Sequence, residues 1–177
     1  FAVRKIVAFS KECIELGSDL EEVQNVVDVT FGKMSGAIDN FAKDAATQFG
    51  LSELSAKQYT STLGAMYKSM GFTEGAAAGM SVEMTKLAAD MASFYTLDSD
   101  TAFQKIRAGI SGETEPLKQL GINLSEANLE EYRLAQGIAT SYRNMDQQNK
   151  AILRYNYLLH VTSDAQGDFA RTSGSWA

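Results

Sequence analysis

The chain is organised around Ser111–Ile122, which reads SGETEPLKQLGI and holds the only proline of the chain. Pro116 has its φ fixed near the helical value and lacks an N–H, so it fits the first turn of a helix. Gly121 stands where a left-handed residue ends a helix, and Ile122 follows at the position that packs back on Leu117. The stretch therefore predicts a helix of about a turn and a half, closed at both ends.

Helix boundaries recur on both sides of this stretch. Gly112 precedes the short helix, which we expect Thr114 or Glu115 to cap. Glycine stops and polar caps divide the rest of the chain into amphipathic segments with apolar residues at helical spacing. The expected boundary residues are Gly17, Ser18, Gly32, Gly50, Ser52, Gly71, Thr73, Asp98 or Ser99, Ser125, Gly137 and Asp146. The predicted fold class is all-α, a compact multi-helix bundle of about eight to nine short helices joined by tight Gly/Ser corners.

Composition divides the chain into a helical domain over residues 1–162 and a tail over 163–177. The tail is polar and glycine-bearing, and we expect it to be weakly helical and to lead into missing downstream chain. The chain opens on Phe1 without a methionine and ends on Ala177 without a stop signal. These ends predict a piece of a longer protein.

Overall composition is that of a folded globular domain. Of the 177 residues, 45% are hydrophobic and 21% are charged, with a net charge of −6 and a pI of about 4.8. The basic residues are scattered, which argues against specific binding of nucleic acid. The single cysteine, Cys13, excludes an internal disulfide, and we expect it to be a small buried hydrophobe on a helix.

Three glycines at helical spacing suggest close contact between helices. Gly71, Gly75 and Gly79 form a GxxxGxxxG pattern, which in lipid favours tight helix pairing. The pattern is interrupted by Glu74 and followed by further charges, so close packing of water-exposed helices is the preferred interpretation. Membrane insertion of the segment 71–97 remains an alternative.

The sequence offers few groups for catalysis or metal binding. Glu113 and Glu115 flank one threonine, and paired carboxylates can perform acid and base catalysis on glycosides. Acidic groups also stabilise a helix N-terminus, which is the preferred interpretation. His160, the only histidine, is expected at a surface or helix end, and the segment 98–100 is expected to cap a helix because it lacks the other ligands of a calcium loop. We therefore predict no catalytic, cofactor-binding or metal site, and assign Gly112, Pro116, Leu117, Gly121 and Ile122 a structural role.

Long phrases of the chain resemble one family of proteins. These phrases are DLEEVQNVVDVTFGKM, SELSAKQYTSTLGAMYKSMG, DTAFQKIRAGISGETEP, SGETEPLKQLGI, ANLEEYRLAQGI and LRYNYLLHVTSDAQGDFARTSGSWA. Together they cover nearly the whole chain and resemble the tail-length tape-measure proteins of tailed bacteriophages and prophages. None of these phrases carries catalytic residues in the family pattern.

The resemblance implies a non-enzymatic structural role in tail assembly, tail-length determination and DNA delivery. It implies a place in the virion tail, assembled in the host bacterial cytoplasm, with several copies per tail and no cofactor. The implied partners are tail tube proteins, tail tip proteins and tail-assembly chaperones. Two alternatives stay open: a peptidoglycan-hydrolase-like domain, and a membrane-active domain that contacts lipid only during ejection.

The spacing of the glycine stops indicates which part of a tape-measure protein the chain forms. A continuous helical ruler would extend roughly 265 Å over 177 residues and would need an unbroken apolar seam. Frequent stops instead predict a chain that folds back on itself, with a radius of gyration of about 16 Å.

Overall fold

The structure, a computed structural model, describes the backbone of residues 2–174 and the side chains from Gly17 to Gly174, and in this part of the chain all regular secondary structure is helical. The predicted all-α class and compact arrangement are confirmed. The helices are α1 (Ala2–Phe31), α2 (Ser35–Phe49), α3 (Glu53–Ser69), α4 (Glu74–Phe94), α5 (Ser99–Ser111), α6 (Glu115–Lys118), α7 (Glu126–Ala135), α8 (Gln147–Val161) and α9 (Asp168–Ser173).

The first helix is longer than the sequence predicts. The stop expected at Gly17, with a new helix starting at Ser18, is wrong, because α1 runs unbroken to Phe31. A glycine ends a helix by adopting a left-handed conformation, and Gly17 does not adopt one, whereas Gly32 does with φ +51°. Cys13 lies before the described side chains, so its predicted burial stays a prediction.

The core is built around α3 and α4. These two helices pack on each other, while α1 and α2 pack against both, and α5 packs on α4. Gly64 lies where α3 crosses α1, and its missing side chain leaves room for the Phe31 ring. Gly64 is therefore a point at which α3 and α1 approach each other closely. The largest fully buried side chains include Phe31, Tyr67, Met84, Leu87, Met91, Ile106 and Ile110.

Polar N-caps begin five of the helices where the sequence predicts them. In each case the side-chain oxygen accepts a hydrogen bond from the backbone N–H three residues further on, which satisfies a donor that the helix leaves unpaired. The capping residues are Ser52, Thr73, Asp98, Ser125 and Asp146.

The Ser111–Ile122 stretch forms the corner between α5 and α7. Gly121 is left-handed with φ +78°, its N–H bonds to the Lys118 carbonyl at 2.9 Å, and the Ile122 N–H bonds to the Leu117 carbonyl at 3.1 Å. This pair of bonds is the helix ending predicted there. Leu117 and Ile122 are both buried. Pro116 lies in the first turn of α6, as expected. Thr114 occupies the cap position but makes no side-chain capping bond.

The chain beyond residue 162 packs against the helices before it. Ala165 is buried, and α9 contacts α2 and α4. The Asp90 carboxylate accepts hydrogen bonds from the backbone N–H groups of Gly167 at 2.8 Å and Phe169 at 3.2 Å. Asp90 thereby caps the start of α9 from another helix. The domain boundary after residue 162 stays a prediction, and residues 175–177 lie outside the described part.

Candidate functional site

The corner at Gly112 is joined to α8 by a buried arginine. Arg154 donates from Nη1 to the Ile110 carbonyl at 3.0 Å and from Nε to the Tyr142 hydroxyl at 2.8 Å. Gly112 is left-handed with φ +107°, and a Cβ there would lie 2.8 Å from Nη2 of Arg154. The guanidinium therefore binds the carbonyl end of α5, where the helix dipole favours a positive charge. The sequence predicts Gly112 as structural but carries no local signal for Arg154.

The two glutamates proposed as an acid and base pair are not brought into one cleft. Both are exposed, and Glu115 pairs with Lys118 at 3.4 Å in the first turn of α6. Glu113 lies 3.5 Å from the Ser111 hydroxyl and lines a cavity of about 240 Å³ with Arg107, a cavity that Glu115 does not line. The preferred interpretation, charges at a helix start, fits the position of Glu115.

The segment 98–100 acts as a helix cap. Asp98 accepts hydrogen bonds from the Thr101 backbone N–H at 2.8 Å and from the Thr101 hydroxyl at 2.6 Å. These bonds from Thr101 lower the pKa of the Asp98 carboxyl. Among residues 17–174, no three His, Cys, Asp or Glu side chains are grouped so as to hold a metal ion.

Two glycines of the GxxxGxxxG pattern, Gly75 and Gly79, do not pack against another helix in the part of the chain that the structure describes. Gly71 ends α3 with φ +94°, while Gly75 and Gly79 lie on α4 with open space where a Cβ would be. The close packing expected at Gly75 and Gly79 is therefore wrong. Their smooth helix face borders an apolar groove of about 580 Å³ between α2 and α4, which Phe41 and Tyr155 also line. No helix in the described part of the chain is long and apolar enough to cross a membrane.

His160 lies exposed in the last turn of α8, which confirms its expected position at a helix end. It borders a cavity of about 290 Å³ between α7 and α8, which we call the aromatic pocket. Its wall includes Asn128, Glu131, Tyr132, Tyr157 and His160. The sequence signal for the pocket is helical spacing: Asn128 and Tyr132 are four residues apart on α7, and Tyr157 and His160 are three residues apart on α8. Nothing in either segment indicates that the two pairs meet.

The loop after α7 is held by an ion pair. Arg133 donates to both carboxylate oxygens of Glu130, at 3.0 and 2.7 Å, and also to the Ile138 carbonyl. Glu130 in turn accepts the Tyr142 backbone N–H at 2.9 Å. Hydrogen bonds from Arg133, and next from Tyr142, lower the pKa of the Glu130 carboxyl.

The chain matches no protein-family model, no curated protein and no solved structure. The resemblance to tape-measure proteins therefore stays an expectation based on the quoted phrases.

Proposed function

We propose that the chain is a non-enzymatic structural segment of a phage tail tape-measure protein. The observation that carries the proposal is the ordered series of family-like phrases over nearly the whole sequence. In this proposal the segment acts in tail assembly and DNA delivery, within the virion tail. Its partners are tail tube proteins, tail tip proteins, tail-assembly chaperones and further copies of the same protein.

Within such a protein, the fold favours a compact domain over a section of extended shaft. A shaft would advance about 1.5 Å per residue without turning back. Here left-handed glycines at Gly32, Gly50 and Gly71 end successive helices, and α1 to α4 pack on one another. The segment therefore contributes a folded body, and the length of the tail is set by other parts of the protein.

A tagged copy of the gene in the genome that encodes the chain tests the role in the tail. We expect the tagged protein to copurify with intact tails, and an in-frame deletion of the segment to reduce infectivity, with rescue by the gene supplied in trans. Tails that lack the tagged protein, together with full infectivity of the deletion, would contradict the proposal.

A further inference from the structure

The aromatic pocket brings three rings together at the surface between α7 and α8. The Tyr132 and Tyr157 ring centroids lie 5.3 Å apart, with an angle of 62° between the planes. The Tyr132 and His160 centroids also lie 5.3 Å apart, at 32°. Since the two tyrosine rings pack edge to face on each other, they form one continuous aromatic wall, and a group in the cavity lies against this wall.

The polar groups of the pocket determine the sign of the charge that it attracts. Glu131 supplies an exposed carboxylate, and among residues 17–174 no lysine or arginine lines the cavity. Asn128 donates from its amide nitrogen to the Tyr157 hydroxyl at 3.3 Å, which holds that ring in place. Aromatic rings beside a carboxylate, with no lysine or arginine among the described lining residues, are an environment that attracts an organic cation.

The size of the pocket limits what can enter. Its volume of about 290 Å³ is at the lower limit of ordinary small-molecule sites. A compact group fits such a space, whereas an extended ligand does not.

We propose that the aromatic pocket binds a compact organic cation, an alkylammonium or guanidinium group. The group belongs either to a free small molecule or to a lysine or arginine side chain of a partner protein. Tyr132 and Tyr157 supply the aromatic wall, and Glu131 supplies the compensating charge. The inference stands apart from the proposed tail function, and failure of one leaves the other intact.

Titration of the isotope-labelled chain with tetramethylammonium chloride tests the proposal. We expect saturable changes in the NMR signals of the Tyr132 and Tyr157 rings, and no such changes with tert-butanol, a neutral molecule of similar shape. Equal binding of tert-butanol would overturn the proposal, because the pocket would then recognise apolar bulk alone. Absence of saturable changes with tetramethylammonium and with N-ethylguanidinium would overturn it too.

Substitutions inside and outside the aromatic pocket test whether the cation binds there. Tyr132→Leu should weaken binding of tetramethylammonium about tenfold, and Glu131→Gln severalfold. The matched controls are Tyr95→Leu and Glu21→Gln, which remove a ring and a charge outside the pocket and should leave affinity unchanged. Circular dichroism establishes that each variant is folded. Unchanged affinity in both folded pocket variants would overturn the proposal.

Capped tripeptides distinguish the two sources of the cation. If Gly-Arg-Gly or Gly-Lys-Gly binds at least about tenfold more tightly than the corresponding free cation, backbone contacts add to the cation and the source is a partner protein. Equal affinities support a free small cation. Binding of a Gly-Met-Gly control as tight as that of the basic peptides would overturn the proposal.

Discussion

Arg154 joins α8 to the end of α5 and to the segment at Tyr142. Its substitution tests whether these bonds stabilise the corner at Gly112. Arg154→Met deletes the donors to Ile110 and Tyr142 and leaves buried acceptors unpaired. We expect the free energy of unfolding to fall by about 2–3 kcal/mol, measured by urea denaturation. The control Arg143→Met removes a side chain that is 81% exposed and should cost less than about 1 kcal/mol. Equal effects of the two changes would contradict the assigned role.

Thr96 is the one non-glycine residue with positive φ in the described part of the chain, at +55°. It closes α4, where the Leu97 N–H bonds to the Ala92 carbonyl at 2.8 Å. A β-branched residue in this conformation is strained, so Thr96→Gly should raise the free energy of unfolding by about 1 kcal/mol. Thr47→Gly, inside α2, should lower it by a few tenths of a kcal/mol or more. Thermal denaturation measures both, and a destabilising Thr96→Gly would show that the strain is absent.

Glu130 should make stability depend on pH in acid. Its folded-state pKa lies below the ordinary value near 4.5, chiefly because of the Arg133 hydrogen bonds. The contribution of Glu130 is therefore present above pH 4.5 and is lost as the pH falls through the lowered value. Glu130→Gln should lower the urea midpoint at pH 7, and the difference from the unchanged protein should shrink towards pH 3. The control Glu21→Gln, at an exposed position, should leave the urea midpoint at pH 7 nearly unchanged. A Glu130→Gln difference that grows in acid would contradict the assignment.

The structural role of a single residue was predictable when its hydrogen-bond partner is close in sequence. Ser52 and Ser125 each cap the N–H three residues on, so the local pattern carries the whole interaction. Arg154 was not predictable, because its carbonyl partner lies 44 residues earlier. The same holds for Asp90, whose carboxylate caps α9 across the fold.

Among the helices, α1 shows why a glycine alone does not mark a boundary. Gly17 does not have a positive φ, and no atom of the described residues lies within 4 Å of the position that a Cβ would occupy, so Gly17 lowers helix stability without a compensating contact among them. Gly17→Ala should therefore raise the free energy of unfolding by about 0.5–1 kcal/mol. Gly64→Ala, also inside a helix, should lower it by at least about 1 kcal/mol, because the added methyl overlaps the Phe31 ring. Urea denaturation compares the two, and loss of stability in Gly17→Ala would favour a helix break there.

Helix faces were less predictable than helix ends. A face of small residues permits close packing, but it does not specify that a neighbour is present, and Gly75 and Gly79 border an open groove. The aromatic pocket was missed for a related reason. Its residues come from α7 and α8, and only the packing of those two helices places Tyr132 beside Tyr157 and His160.

The compact arrangement of the chain follows from its corners. Left-handed glycines and polar caps turn the chain between helices, and the apolar faces of α1 to α5 then meet in one core. The corners and the apolar faces were predictable from the sequence, because glycine stops and polar caps are local signals and the apolar residues recur at helical spacing. The docking of α9 on α4 was not, since a polar tail carries no strong apolar stripe.

The most direct test of a folded domain within a tape-measure protein is tail length after in-frame deletion of the segment from the parent gene, measured by electron microscopy. We expect the tails that form to keep their length while infectivity falls, because a folded body does not contribute to the ruler. Tails shorter by roughly 265 Å would show that the segment is extended helix in the tail, and would contradict the account.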